Sequence, residues 1–394
     1  MVQTNLSDRC GLIKPSPTLA MTAKAREMKV AGLDVISFAA GEPDFNTPEP
    51  IIAAAKQALD DGFTKYAPSK GHPTLVEAIQ RKVKRENKFS AEANQIVVSC
   101  GAKHSVYNAL QVLLNPGDEV ILFAPFWMTY ADQVALAGGQ IVVIPTDVEN
   151  NFCPHPDQIK AAITPRTKAI ICNTPSNPTG GAWDRNLIKE VAAIALRHNL
   201  TIISDEIYER ITYDHNHTSF ASLSKDVAEQ TITILGVSKT YAMTGWRVGF
   251  TVSSPHIAAA MANLQDQVTS NATTFAQIGA AAALDSDPSL VQGMIDSFTN
   301  RRSLGLDLIR QIPGCSVNDP KGAFYFFINV EPHLKGSISN DITLANHLLE
   351  TAHIATVPGS VFYAPGHLRL SYATSPDQIT EGITRLKNTL ADLS

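Results

Sequence analysis

No apolar run in this chain approaches the roughly 18–20 residues that a bilayer-spanning helix needs. The opening residues, MVQTNLSDRCG, also lack the apolar centre of a secretory signal. Cysteine is sparse: Cys10, Cys100, Cys153, Cys172 and Cys315 are scattered and odd in number, with no CxxC or Cys/His ligand spacing. That pattern argues against a disulfide framework or a metal site and predicts reduced thiols in a cytoplasmic protein. Neither sign of charge dominates, since 32 Lys and Arg face 37 Asp and Glu for a net charge of −5. Such a balance gives no reason to expect nucleic acid or an anionic membrane as a partner. No GxGxxG follows the early strand-like segments, which disfavours a nicotinamide-nucleotide enzyme. Internal repeats and low-complexity stretches are likewise missing.

The 394 residues are enough for two domains, and 44% apolar with 18% charged residues is a globular balance. Short β-branched runs at 96–99, 119–123, 168–172, 201–204 and 231–235 read as buried strands. Segments 102–114 and 185–197 have helical periodicity and length between them. Alternation of this kind predicts an α/β fold with a mostly parallel central sheet covered by helices. In such sheets, sites form beyond the carboxyl ends of the strands. Gly101, Asp205 and Lys239 each follow a predicted strand within a few residues. After about residue 290 the character changes, and FYFFINV and HLRLSYA suggest a smaller α+β unit.

The segment SKTYAMTGWRVG, residues 238–249, places Lys239 eight residues before Arg247. A lysine that bonds to an aldehyde must be able to lose its proton. A nearby guanidinium disfavours the ammonium form and can hold a phosphate with a planar donor fork. The two together match what pyridoxal 5'-phosphate requires. Alone, either cation would read as an ordinary surface side chain. Three further segments accompany them: NTPSNPTG with Asn173 and Asn177, ISDEIY with Asp205 and Tyr208, and HLRLSYA with Arg369.

In this order and register the chain resembles class I (fold type I) aminotransferases from about residue 12 to its end. It looks most like the bacterial-type aspartate aminotransferase subgroup, some of whose members also use prephenate. The resemblance implies a large cofactor domain at 46–290 and a small domain made of 1–45 with 291–394. It also implies that Lys239 carries the cofactor and moves the proton, and that Asp205 pairs with the pyridine nitrogen. Tyr208 and Asn177 would reach the ring hydroxyl, and Trp127 would stack on the ring. The phosphate would rest on the turn Gly101-Ala102-Lys103, joined by Arg247 and the hydroxyl of Ser238. Gly236 departs from the family, many of whose members have a phosphate-binding serine there. Tyr66 would reach the phosphate of a neighbouring subunit, which implies a homodimer with shared active sites.

For the substrate, Arg369 would clamp the α-carboxylate beside the backbone of Gly41, with Trp127 and Asn177 also lining the pocket. The segment KPSPT, with Lys14, Ser16 and Thr18, would serve a second carboxylate together with Lys103. These residues favour aspartate with 2-oxoglutarate, and Lys14 keeps conversion of prephenate to arogenate open. The alternative reading of Lys14 is a solvated cation on a flexible arm. An aromatic or alanine aminotransferase and a C–S lyase share every cofactor residue above. A non-enzymatic regulator that binds the same cofactor is disfavoured, because the resembling segment starts almost at Met1 and leaves no room for a DNA-binding region.

Overall fold

The computed structural model describes residues 6–13, 15 and 17–393, the side chains of 17–19 excepted. In chain order, a two-residue strand β1 (Ile36–Ser37) precedes β2 (Ile96–Ser99), β3 (Glu119–Ala124) and β4 (Gln140–Pro145). Next come β5 (Thr167–Asn173), β6 (Thr201–Asp205), β7 (Thr231–Gly236) and β8 (Gly249–Val252). The last five are β9 (Ser316–Val317), β10 (Tyr325–Asn329), β11 (Ile354–Ala355), β12 (Val357–Pro358) and β13 (His367–Ser371).

Seven strands form one sheet in the order β2-β8-β7-β6-β5-β3-β4. Only β8 runs against its neighbours, and every other pairing is parallel. The strands are apolar on both faces, as a sheet covered by helices requires. Along β3, Val120 and Leu122 enter one cluster, whereas Ile121 and Phe123 enter the opposite one. Ala169 and Ile171 of β5 divide from Ile170 and Cys172 in the same way. The helix Arg185–Arg197 covers the second face with Ile188, Val191, Ala192 and Ala195. Asp184 starts it by accepting the Leu187 N–H at 2.8 Å.

The five predicted strands and two predicted helices are present, each end within one residue of its expected place. Strands β4 and β8 fall outside the expected set. β4 is an edge strand with mixed exposure, and β8 has four residues that open on a glycine and run antiparallel. Neither gives the buried β-branched run that marks the others.

A second, four-stranded antiparallel sheet has the order β12-β13-β10-β9. The early chain is woven into this end of the molecule. β1 pairs in parallel with β11, Ile36 opposite Ile354, and the Phe38 carbonyl accepts the Ser371 N–H at 2.8 Å. Phe38 is 1% exposed, and its ring occupies the space a Cβ on Gly382 would fill, 2.4 Å away. Arg301 grips Asp44 with two bonds of 2.7 and 2.9 Å. Among the described residues, no helix is long and apolar enough to cross a membrane.

Because Phe38 joins the early chain to the last helix, Phe38→Ala should lower stability by about 3–5 kcal/mol. A urea-unfolding midpoint shows this directly, and a variant within about 1 kcal/mol of the parent would contradict the role given to this ring.

Candidate active site

Five strands of the large sheet end around a cavity of about 390 Å³. Its wall includes Gly41, Lys103, Trp127, Asn177, Asp205 and Lys239, together with Ala102, Tyr208, Ser238, Arg247 and Arg369. The strand ends explain the convergence: β6 finishes at Asp205, β7 three residues before Lys239, β5 four before Asn177, and β3 three before Trp127. Tyr66 does not line this cavity and is 90% exposed on the single chain. Lys14 and Ser16 lie outside the described residues, as does the side chain of Thr18.

Lys239 donates from Nζ to the Gly41 carbonyl at 2.5 Å. Loss of water around the amine lowers its pKa to about 8; Glu42 opposes that fall, while Arg247 and Arg369 add to it. Asp205 is 3% exposed, and burial raises its carboxyl to about 6. Two donors hold the carboxylate and moderate the rise: the Tyr130 hydroxyl at 2.7 Å and the Ile207 N–H at 3.2 Å.

Arg369 is 2% exposed and stands over the rings of Tyr325 and Phe362, 4.6 and 5.1 Å from their centres. Nη1 donates to Asn177 Oδ1 at 2.9 Å and Nη2 to the Ala39 carbonyl at 2.8 Å. Its Nε is buried without a partner, so the guanidinium has an unused donor. Burial lowers the pKa of this guanidinium from its ordinary value. Asn173 fixes the loop beneath: it donates to the Asp205 carbonyl at 3.0 Å and accepts the Asn177 N–H at 2.9 Å. The hydroxyls of Tyr208 and Tyr325 meet at 2.8 Å, and Tyr325 also limits Gly41, where a Cβ would come within 3.2 Å of its oxygen.

On the other side, Gly101 opens the helix Ala102–Leu113 with φ +87. Helical geometry leaves the first N–H groups, those of Ala102 and Lys103, without partners inside the helix. Arg247 lies against this turn, with Nη2 donating to the Cys100 carbonyl at 3.3 Å and Nη1 to the Thr244 carbonyl at 2.9 Å. Any Cβ at Gly101 would be 2.4 Å from the Arg247 guanidinium. Gly249 is equally constrained, since a Cβ there would sit 2.3 Å from the Ala102 nitrogen. Lys103 extends its ammonium over Trp127, 4.9 Å from the ring centre, and burial followed by Arg247 lowers its pKa. At Gly236 a Cβ would meet Ile207 Cδ1 at 3.0 Å and the Val248 carbonyl at 3.3 Å. Glycine at that position therefore keeps β7 close to its surroundings.

Three residues of this region are not singled out by the sequence: Tyr130, Tyr325 and His104. Tyr130 lies three residues after Trp127 in APFWMTY, but nothing in the motif marks its contact with Asp205. Tyr325 is hidden in an aromatic strand that reads as core. His104 offers no pattern of its own.

The collected groups can hold an anion at the Gly101 turn, a carboxylate at Arg369 and a proton at Lys239. Residues 33–386 match the family model described as aminotransferase class I and II. The aspartate aminotransferase of Bacillus sp. (strain YM-2) is 45% identical over 97% of this chain and 98% of its own length. A probable aspartate/prephenate aminotransferase of Aquifex aeolicus (strain VF5) is 43% identical over 100% of both chains. A solved structure, the aspartate aminotransferase from Thermus thermophilus with maleate, superposes with a TM-score of 0.93. It is 38% identical and spans 98% of this chain and 100% of its own.

Asp205 and Lys239 act on stability in separate pH windows. Asp205 holds its proton more tightly when folded, about 6 against 3.8, so its contribution to stability falls as pH rises from about 4 to about 6. Lys239 holds its proton less tightly when folded, about 8 against 10.5, so its contribution rises with pH across that interval. A tenfold change in proton affinity is worth about 1.4 kcal/mol. In the cofactor-free protein, Asp205→Asn should therefore be more stable than the parent at about pH 7.5 by on the order of 2–3 kcal/mol. Urea unfolding at several pH values should show the gap closing as pH approaches about 4; a gap independent of pH would contradict the raised carboxyl.

Proposed function

The chain belongs to the class I and II aminotransferase family, whose members depend on pyridoxal 5'-phosphate, and from that premise we propose that it moves the amino group between L-aspartate and 2-oxoglutarate. The observation that carries this reading is one cavity holding a lysine of lowered pKa, a buried aspartate and a buried arginine with a spare donor.

The residues present fit the cofactor. Free N–H groups at Ala102 and Lys103, backed by Arg247, suit its phosphate dianion. Asp205 is a carboxylate raised by burial, and a cationic ring nitrogen beside it would relieve that cost. Tyr208 and Asn177 offer polar atoms for the ring hydroxyl, and Trp127 an aromatic face. Bound there, the cofactor supplies an aldehyde carbon for reversible attachment of the amino group and a ring that accepts the electrons released at Cα.

The chain's own side chains do the rest. Lys239 would hold the cofactor and, as a free amine, would move the Cα proton. A pKa of about 8 leaves part of it neutral near pH 7.5, as a base requires. Arg369 binds the α-carboxylate and aligns the Cα–H bond, helped by Asn177, Trp127 and the backbone at Gly41. Lys103, with Lys14, Ser16 and Thr18, would receive the second carboxylate. The Thermus relative was solved with maleate, a dicarboxylate, which supports a site of this kind in that protein. Prephenate is proposed as a further amino acceptor, giving arogenate, supported by the name of the Aquifex relative. We also propose a cytoplasmic homodimer in which Tyr66 completes the partner's phosphate site, and a domain division at 46–290 against 1–45 with 291–394. The pairing of β1 with β11 supports that division.

The purified protein should absorb in the visible region, with a band that shifts on adding aspartate and returns with 2-oxoglutarate. A colourless protein whose spectrum ignores amino acids would contradict the proposal. Lys103→Ala should raise KM for aspartate by about tenfold, the worth of one charge-assisted contact, and leave KM for alanine nearly unchanged. Equal effects on both substrates would remove Lys103 from substrate recognition.

A further inference from the structure

Cys100 is held through both of its backbone polar groups just before the anion-binding turn. Its carbonyl accepts from Arg247 Nη2 at 3.3 Å, and its N–H donates to His104 Nδ1 at 3.2 Å. His104 belongs to the first turn of the helix Ala102–Leu113 and reaches back four residues to make this contact. An imidazole that accepts at Nδ1 carries its proton at Nε2, which is buried here without a partner. Burial also depresses the imidazole pKa, which favours this neutral form. Leaving a buried donor unpaired costs stability, so another side chain at this position would be preferred if the contact did nothing.

We propose that His104 is a positioning residue for the phosphate cradle, fixing the backbone of Cys100, and through it the Gly101 turn, so that the N–H groups of Ala102 and Lys103 point at the anion. The inference rests on the cofactor reading given above. Gly101 follows directly on the clamped Cys100 with φ +87, a conformation from which an unrestrained glycine escapes at little cost. Arg247 restrains the Cys100 carbonyl and the Gly101 N–H donates to the Ser99 carbonyl at 2.7 Å, whereas the Cys100 N–H is held by His104. With the acceptor at His104 lost, the turn samples other conformations and binds a phosphate less well. The aldehyde and ring contacts, made by residues of other strands, are untouched.

The test compares pyridoxal 5'-phosphate with pyridoxal, which lacks the phosphate, as ligands of the full-length protein freed of cofactor. Affinities are read by absorbance titration. His104→Leu and His104→Ala, two variants of different size without the acceptor, should each weaken pyridoxal 5'-phosphate about three- to tenfold, the worth of one hydrogen bond. Pyridoxal binding should stay within about twofold, since it makes no use of the cradle. His104→Asn, whose Oδ1 takes the place of Nδ1, should restore most of the preference for the phosphorylated ligand. Equal weakening of both ligands, no weakening, or failure of the asparagine variant to restore the preference would each overturn the proposal. A parent protein with no preference for the phosphorylated form would instead overturn the cofactor reading itself.

Discussion

Desolvation in a single cavity sets the chemistry of this protein. Asp205 and Arg369 are buried and Lys239 is half-buried, and this loss of solvation disfavours the ionised form of each. Their hydrogen bonds go to neutral groups: the Gly41 carbonyl, the Tyr130 hydroxyl, the amide of Asn177 and the Ala39 carbonyl. Oppositely charged neighbours would have satisfied these groups and returned their pKa values towards ordinary ranges. The site instead keeps capacity in reserve, most plainly in the buried Nε of Arg369. A ligand with a cationic ring and a carboxylate meets groups already short of partners.

Such an arrangement is costly to stability, and the fold supplies what offsets it. Parallel strands apolar on both faces hold the strand ends rigidly, so Asp205 and the loop to Lys239 start from fixed points. Glycines appear where backbone must approach backbone or a guanidinium: Gly249 against Ala102, and Gly101 against Arg247. The early chain closes the remaining wall, since Ala39 and Gly41 follow directly on the segment that pairs with β11 and packs Phe38 beneath the last helix. That one short stretch thus serves both the core and the cavity.

Much of this architecture is legible in the amino-acid sequence. Buried parallel strands announce themselves by β-branched runs, and five of the seven strands in the large sheet carry that mark. β4 and β8 escape because an edge position and a glycine start erase the signal. The residues whose chemistry is carried by type and spacing, Lys239 with Arg247 and Asp205 with Tyr208, do line one cavity. Residues that act through a neighbour are not legible. Tyr130 matters because its hydroxyl meets Asp205, Tyr325 because it meets Tyr208, and His104 because it meets a backbone N–H. Tertiary geometry alone reveals those contacts. The KPSPT segment stays a reading of the sequence, because Lys14, Ser16 and the side chain of Thr18 lie outside the described residues.

The most direct measurement reduces the protein, as isolated with its cofactor, with borohydride, digests it and maps the labelled peptide. The account predicts a single stable pyridoxyl label on the Nζ of Lys239, within the segment SKTYAMTGWRVG. A label on a different lysine, or none at all in protein that has retained its cofactor, would contradict it.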